Sequence, residues 1–297
     1  MEIIRAKLED IKEIPNGDLC IGVERPKKYF DKALQKKKRL IIFSLRPDEE
    51  LIPYPDKAYD KMGVRVTNEL PDSDNGMIVI SSRGAPPEIL QKLKEKGYEF
   101  QNANCPYVQY QEKNSIKLLG KGYHLVISSN PKHHGIERLS QIAQARGQKL
   151  FCAEYPEDVD QINLRPSERI AVIAQTTQSL ENFKAVVNKL IDRYKDIRVV
   201  NTICLDSLVR YPETEKLARE TDLVLVIGRS EGKTTRMVEI CQQVGTPAHR
   251  FDRVEVLRPE WFEGVNRVGL IGGNTSHKSL VDRIEARVRE ISKEKKQ

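Results

Sequence analysis

The sequence predicts an α/β protein made of three similar small domains with parallel sheets. Strand-like runs of continuous β-branched residues and leucine alternate with amphipathic helical segments, the pattern of strands buried on both faces. The same strand–loop–helix plan recurs along 297 residues, and a cysteine stands at a corresponding point of each recurrence.

The elements follow in chain order. KRLIIFSLRPDEE, beginning at Lys38, and GMIVISSRGAPPEILQKLKEKG, beginning at Gly76, are the strands of the first domain, the second leading into a helix. YHLVISSNPKHHG and ERIAVIAQTTQSLENFKAVVNKLIDRY repeat the plan in the second domain. DLVLVIGRSEGKTTRMVEI and NRVGLIGGNTSHKSLVDRIEARV repeat it in the third. Domains over 1–104, with an N-terminal segment, 105–203 and 204–297 are expected, since three small α/β units suit this length better than one large sheet.

GDLC ends at Cys20, NANC at Cys105 and NTIC at Cys204, each ahead of a helical segment and then the first strand of a unit; the intervals are 85 and 99 residues. Pro106 suits the first position of a helix because it has no N–H to leave unpaired. A thiol at a helix start meets unpaired N–H groups and the positive end of the dipole, which favour thiolate. Strand ends facing a common centre would bring three thiolates together. They could hold Zn²⁺ with an open fourth position or a [4Fe–4S] cluster with one iron lacking a protein ligand, and the spacing does not choose. Cys152 and Cys241 have no counterparts and read as core or incidental residues.

Composition narrows the classes. No run approaches 18 apolar residues and MEIIRAKLED is charged from its second residue, so neither a membrane span nor a secretory signal is read, and a cytoplasmic setting is expected. Five cysteines make no disulfide framework. The net charge of +7 and the run KKYFDKALQKKKRL form a solvated basic surface. No aromatic interleaving suits that run to single-stranded nucleic acid, so no nucleic-acid partner is expected. An acidic electron donor or an anionic substrate would use the same field.

With CIGVERPKKYFDKAL, NANCPYV, IAQTTQS and GGNTSHKSLV in view, nearly the whole chain resembles the LytB/IspH family of 4-hydroxy-3-methylbut-2-enyl diphosphate reductases. The resemblance implies three α/β domains arranged around a central iron–sulfur cluster. It also implies a [4Fe–4S] cofactor with three cysteine ligands at Cys20, Cys105 and Cys204, and reductive loss of an allylic hydroxyl from a diphosphate. A ferredoxin- or flavodoxin-type electron donor would be the partner. Thr176 and Thr177 match the family's threonines beside the substrate, with Ser179 read as a helix cap.

The departures cluster at the substrate pocket. Family histidines are replaced in LIPYP, near Leu51, and in SSRG, giving Arg83. HHGIER keeps His133 but puts Gly135 in place of the glutamate that supports proton delivery. The family's Ser/Asn-rich loop is here GRSEGKTTRM, one residue short of a Walker A loop, with Lys233, Thr234 and Thr235 as anion-binding candidates at a helix N-terminus. Asn274, Thr275 and Ser276 keep the hydroxyl-rich third-domain loop, and His277 stands where proline is usual. These departures point to cleavage of a C–O or other carbon–heteroatom bond in a substrate diverged from the isoprenoid precursor. The ordinary isoprenoid reductase with a rearranged proton path, and a non-reductive iron–sulfur protein, stand as alternatives.

Overall fold

The structure, a computed structural model, describes residues 1–6, 20–36, 39–45, 63–71, 76–133, 135–229, 231–273, 276 and 278–294, with residues 34 and 231 by their backbone only. The expected strands form, and every strand pair is parallel. In the first sheet β2 (Leu40–Phe43), β3 (Arg65–Thr67), β4 (Met77–Ile80) and β5 (Phe100–Asn102) lie in the order β3-β2-β4-β5. In the second, β6 (His124–Ser128), β7 (Leu150–Cys152), β8 (Ile170–Ala174) and β9 (Ile197–Val200) take the order β7-β6-β8-β9. The third sheet holds β10 (Leu223–Ile227), β11 (Ala248–Phe251) and β12 (Arg267–Gly272) in the order β11-β10-β12, and its fourth place is filled by β1 (Glu2–Arg5). All three sheets thus share one strand order. Residues 2–5 fall in the span expected for the first domain, yet their strand completes the third sheet, with Ile3 beside Val268.

Two compact units emerge, one of Met1–Cys105 with Val209–Gln297 and one of Pro106–Leu208. In the second unit, period-two alternation along β8 decides which helix each side chain meets. Ile170 and Val172 pack with Phe183, Val186 and Leu190 of α5 (Leu180–Ile191). Ala171 and Ile173 pack with Leu118 and Leu119 of α3 (Pro106–Leu119) and Leu139 and Ala143 of α4 (Ile136–Ala145). Each large apolar side chain so buried contributes about 1.5–3 kcal/mol.

The other unit repeats the arrangement in its two sheets. In the first, Leu40, Ile42, Met77 and Val79 meet Phe30 and Ala33 of α1 (Ile21–Gln35), while Ile41, Phe43, Ile78 and Ile80 meet Leu93 of α2 (Pro87–Glu95). In the third, Leu223, Leu225 and Leu270 meet Ile284, Val288 and Ile291 of α8 (Lys278–Glu294). Val224, Val226 and Ile271 meet Tyr211 and Leu217 of α6 (Leu205–Glu220) and Met237 of α7 (Glu231–Val244). No helix of the described residues is long and apolar enough to cross a membrane.

Candidate functional site

The three frame cysteines occupy one structural position. Each follows the fourth strand of its sheet and stands directly ahead of a helix: Cys20 before α1, Cys105 before α3 and Cys204 before α6. The carbonyl of Cys20 accepts the N–H groups of Val23 and Glu24 at 2.8 and 2.9 Å, and that of Cys204 accepts those of Ser207 and Leu208 at 3.0 and 3.1 Å. Both cysteines therefore cap their helices through their carbonyls. The N–H of Cys105 donates to Ser82 at 2.8 Å, and that of Cys204 donates to Thr176 at 2.9 Å; each acceptor lies two residues beyond the third-position strand of its sheet. The sulfur of Cys204 also lies 3.2 Å from Ser207 Oγ.

Cys20 and Cys105 are neighbours within one unit. A methyl placed on Gly22 would stand 3.3 Å from the sulfur of Cys105 and 3.6 Å from that of Cys20, so the glycine leaves room between helix and thiols. Cys204 belongs to the other unit. Among the described residues, no group of three or more His, Cys, Asp or Glu side chains forms a metal-holding cluster. Burial, with Asp158 adding to it, pushes the Cys152 thiol up to about 11, and burial in the core beside α6 pushes Cys241 up to about 12. Both stay protonated and inert at neutral pH; Cys241 lies in the core, while Cys152 is half-buried at the end of β7.

In the second sheet the strand order reverses between β6 and β8, the place where doubly wound sheets bind ligands. The loops beyond these two strands carry His133, Thr176 and Thr177. Thr177 Oγ1 accepts a hydrogen bond from Gln175 Nε2 at 3.0 Å, while the carbonyl of Thr176 is taken by Cys204 and Ser207. Ser179 is the cap of α5, accepting from the Asn182 N–H at 3.2 Å, which leaves both threonines in the turn ahead of the helix. His133 Nδ1 accepts from the Gly135 N–H at 3.4 Å. Gly135, with φ −82°, caps α4 in an ordinary right-handed conformation, and a methyl there would lie 3.7 Å from His133 Nδ1.

Three residues that sequence reading passed over hold these loops. Glu154 Oε2 accepts from Asn130 Nδ2 at 3.0 Å; Asn130 Oδ1 then accepts the Lys132 N–H at 2.9 Å, and its carbonyl accepts the His133 N–H at 3.1 Å. Gln178 Nε2 donates to Ser128 Oγ and to the Glu154 carbonyl at 3.1 and 3.0 Å, tying the threonine turn to the strand ends. The Asn-Pro dipeptide at 130–131 signals a turn, but nothing in the sequence singles out Glu154. His124 is structural, its Nδ1 accepting the Lys149 N–H at 2.9 Å.

In the first sheet Arg83 is half-buried in the loop beyond β4, its N–H held by Ser81 Oγ at 3.3 Å. In the third, α7 starts at Glu231, so Lys233, Thr234 and Thr235 lie in its opening turns. Lys233 and Thr234 are buried, and Thr235 is exposed, accepting from Arg250 Nη1 at 2.6 Å. Ser276 is buried and donates its hydroxyl to the carbonyl of Ile227 at the end of β10. Arg210, fully buried on α6, donates to the carbonyl of Gly272 at the end of β12, a contact that its position inside a helix concealed. Leu51, Asn274, Thr275 and His277 lie outside the described residues.

Three parallel sheets of one strand order, each followed by a cysteine directly ahead of a helix, define a repeated α/β protein. The LytB protein family model matches residues 13–289, and the chain belongs to that family. It is 32% identical over 276 residues to the 4-hydroxy-3-methylbut-2-enyl diphosphate reductase of Pelobacter propionicus, covering 92% of this chain and 95% of the relative. It is 30% identical to the reductase of the same name from Aquifex aeolicus, covering 95% and 96%. A solved (E)-4-hydroxy-3-methyl-but-2-enyl diphosphate reductase superposes with a TM-score of 0.62 at 27% identity, over 98% of this chain and 100% of that one. The Plasmodium falciparum reductase superposes at 0.81 over 96% and 87%, a likeness of fold at 19% identity. Membership makes the chain an enzyme of the oxidoreductase class.

Proposed function

We propose that this chain reduces 4-hydroxy-3-methylbut-2-enyl diphosphate, breaking its allylic C–O bond with two electrons and two protons and releasing the oxygen as water. The observation that carries this reading is near full-length similarity to reductases of that name, at 30–32% identity, with all three frame cysteines at helix starts. A substrate diverged from the isoprenoid precursor finds no support in these relatives, and the ordinary reductase with a rearranged proton path takes its place.

Cys20, Cys105 and Cys204 would hold a [4Fe–4S] cluster. The residues fit such a group: the donors are thiols set at helix starts, and Gly22 keeps the space beside two of them clear. When bound, the cluster supplies single-electron transfers and a Lewis-acidic iron without a protein ligand. Thr176, Thr177 and His133 would orient the hydroxyl and its proton from the loops beyond β6 and β8. Arg83 and Lys233 would offset the diphosphate charge, with Thr234, Thr235, Asn274, Thr275, Ser276 and His277 as further candidates for its oxygens. A ferredoxin- or flavodoxin-type protein would deliver the electrons.

The test is anaerobic purification and turnover. A brown protein with about four irons per chain that converts the diphosphate with reduced methyl viologen is expected. A fully loaded protein that leaves it untouched refutes the reading, and Cys20→Ser, Cys105→Ser and Cys204→Ser should each lose the iron.

A further inference from the structure

Helix α1 carries a cationic track that the proposed chemistry leaves unused. Lys28, Lys32 and Lys36 are exposed and spaced four apart, so they line one face of the helix, and the N–H of Lys36 continues the ladder to Lys32 at 3.2 Å. Among the described residues none of the three has an ion-pair partner. Lys27, on the neighbouring face, is by contrast neutralised by Asp31 at 2.7 Å. Three residues before Lys28, Arg25 begins the same stripe and donates to the Asn104 carbonyl at 3.2 Å, directly ahead of Cys105. From Arg25 to Lys36 the track runs about 16 Å along the axis. It starts between two cysteines, Cys20 at the head of the helix and Cys105 across from Gly22.

We infer that this face of α1 is the docking surface for the electron donor, a small acidic carrier protein. This rests on the reductase reading above. Positive charges without partners steer an acidic protein and set its register. Because the track begins at the thiols, a partner laid along it has one end at the redox centre. The carrier is the reductant: it gives up one electron per encounter, and two encounters with two protons account for one C–O bond broken, one C–H bond formed and one water released. Glu24, at the head of the helix, and Asp31 are the acidic groups on α1, and Asp31 is already engaged by Lys27.

The experiment compares the cluster-loaded wild type with Lys28→Glu/Lys32→Glu/Lys36→Glu, using a flavodoxin as probe. Calorimetry at low salt should show binding weakened at least 30-fold, and the salt dependence of wild-type binding should flatten in the variant. Flavodoxin-driven turnover should fall in step, while turnover with methyl viologen stays within twofold. Equal flavodoxin affinity in the two proteins overturns the inference, as does loss of affinity for a DNA oligonucleotide with flavodoxin binding unchanged. Wild type inactive with methyl viologen would sink the reductase reading instead, and calorimetry would still decide the docking face. Should the reversal variant fail to fold, Lys28→Gln/Lys32→Gln carries the same test, with about half the effect.

Discussion

Replacing Gly135 by glutamate restores a carboxyl beside His133, and the structure sets what it should do. The backbone there has φ −82° and ψ −11°, so a side chain brings no conformational strain, and its Cβ would sit 3.7 Å from His133 Nδ1, an ordinary contact. The position caps α4, where losing glycine costs up to about 1 kcal/mol and a carboxylate gains about 0.3–1 kcal/mol from the helix dipole. Stability should therefore change by less than about 1 kcal/mol. A positioned acid contributes about 10²–10⁴-fold to a proton-transfer step. If protonation of the leaving oxygen limits turnover in this chain, Gly135→Glu should raise kcat at least tenfold, equivalent to about 1.4 kcal/mol of barrier, with KM nearly unchanged. The assay is anaerobic turnover of the diphosphate with reduced methyl viologen, beside Gly135→Gln as a control of equal size without the acid. A folded, cluster-loaded Gly135→Glu with unaltered kcat, or a Gly135→Gln that gains equally, refutes the reasoning.

Gly22→Ala should lower iron content and bleach the visible absorbance with little change in the far-ultraviolet spectrum, because the added methyl stands 3.3 Å from the Cys105 sulfur. Cys152 and Cys241, with thiols raised to about 11 and 12, should react with iodoacetamide at pH 8 far more slowly than after unfolding, measured by mass spectrometry; comparable rates would contradict their burial. Because both folded values lie above that of an unfolded thiol, their contribution to stability is full at neutral pH and is lost as pH climbs from about 9 through 11 to 12, so urea midpoints should fall over that window. Ser179→Ala removes the cap of α5 and should cost about 1 kcal/mol, read as a lower urea midpoint.

The buried strands were legible because LIIF, MIVI, IAVIA and LVLVI are apolar at every position, which only a sheet covered on both faces permits. β1 was not, since EIIR is short and charged at both ends and is a strand only through its pairing with β12. The cysteine frame could be read from position alone, because Cys20, Cys105 and Cys204 each precede a helical pattern. The Glu154–Asn130 contact and the Arg210–Gly272 contact were hidden for the opposite reason. They join residues 24 and 62 positions apart whose types carry no signal until the sheets bring the strand ends together. The loop GRSEGKTTRM read as a nest at a helix start, but how deeply Lys233 and Thr234 sink is a matter of packing that no local pattern reports.

The pairing of β1 with β12 also orders the protein's assembly in time. On the ribosome β1 emerges 265 residues before the partner opposite it, so its edge must wait while the first two sheets complete themselves from contiguous segments. The third sheet closes last, and Cys20 follows the strand that closes it. Any nascent chain halted before Arg267 therefore leaves this thiol's strand without its mate.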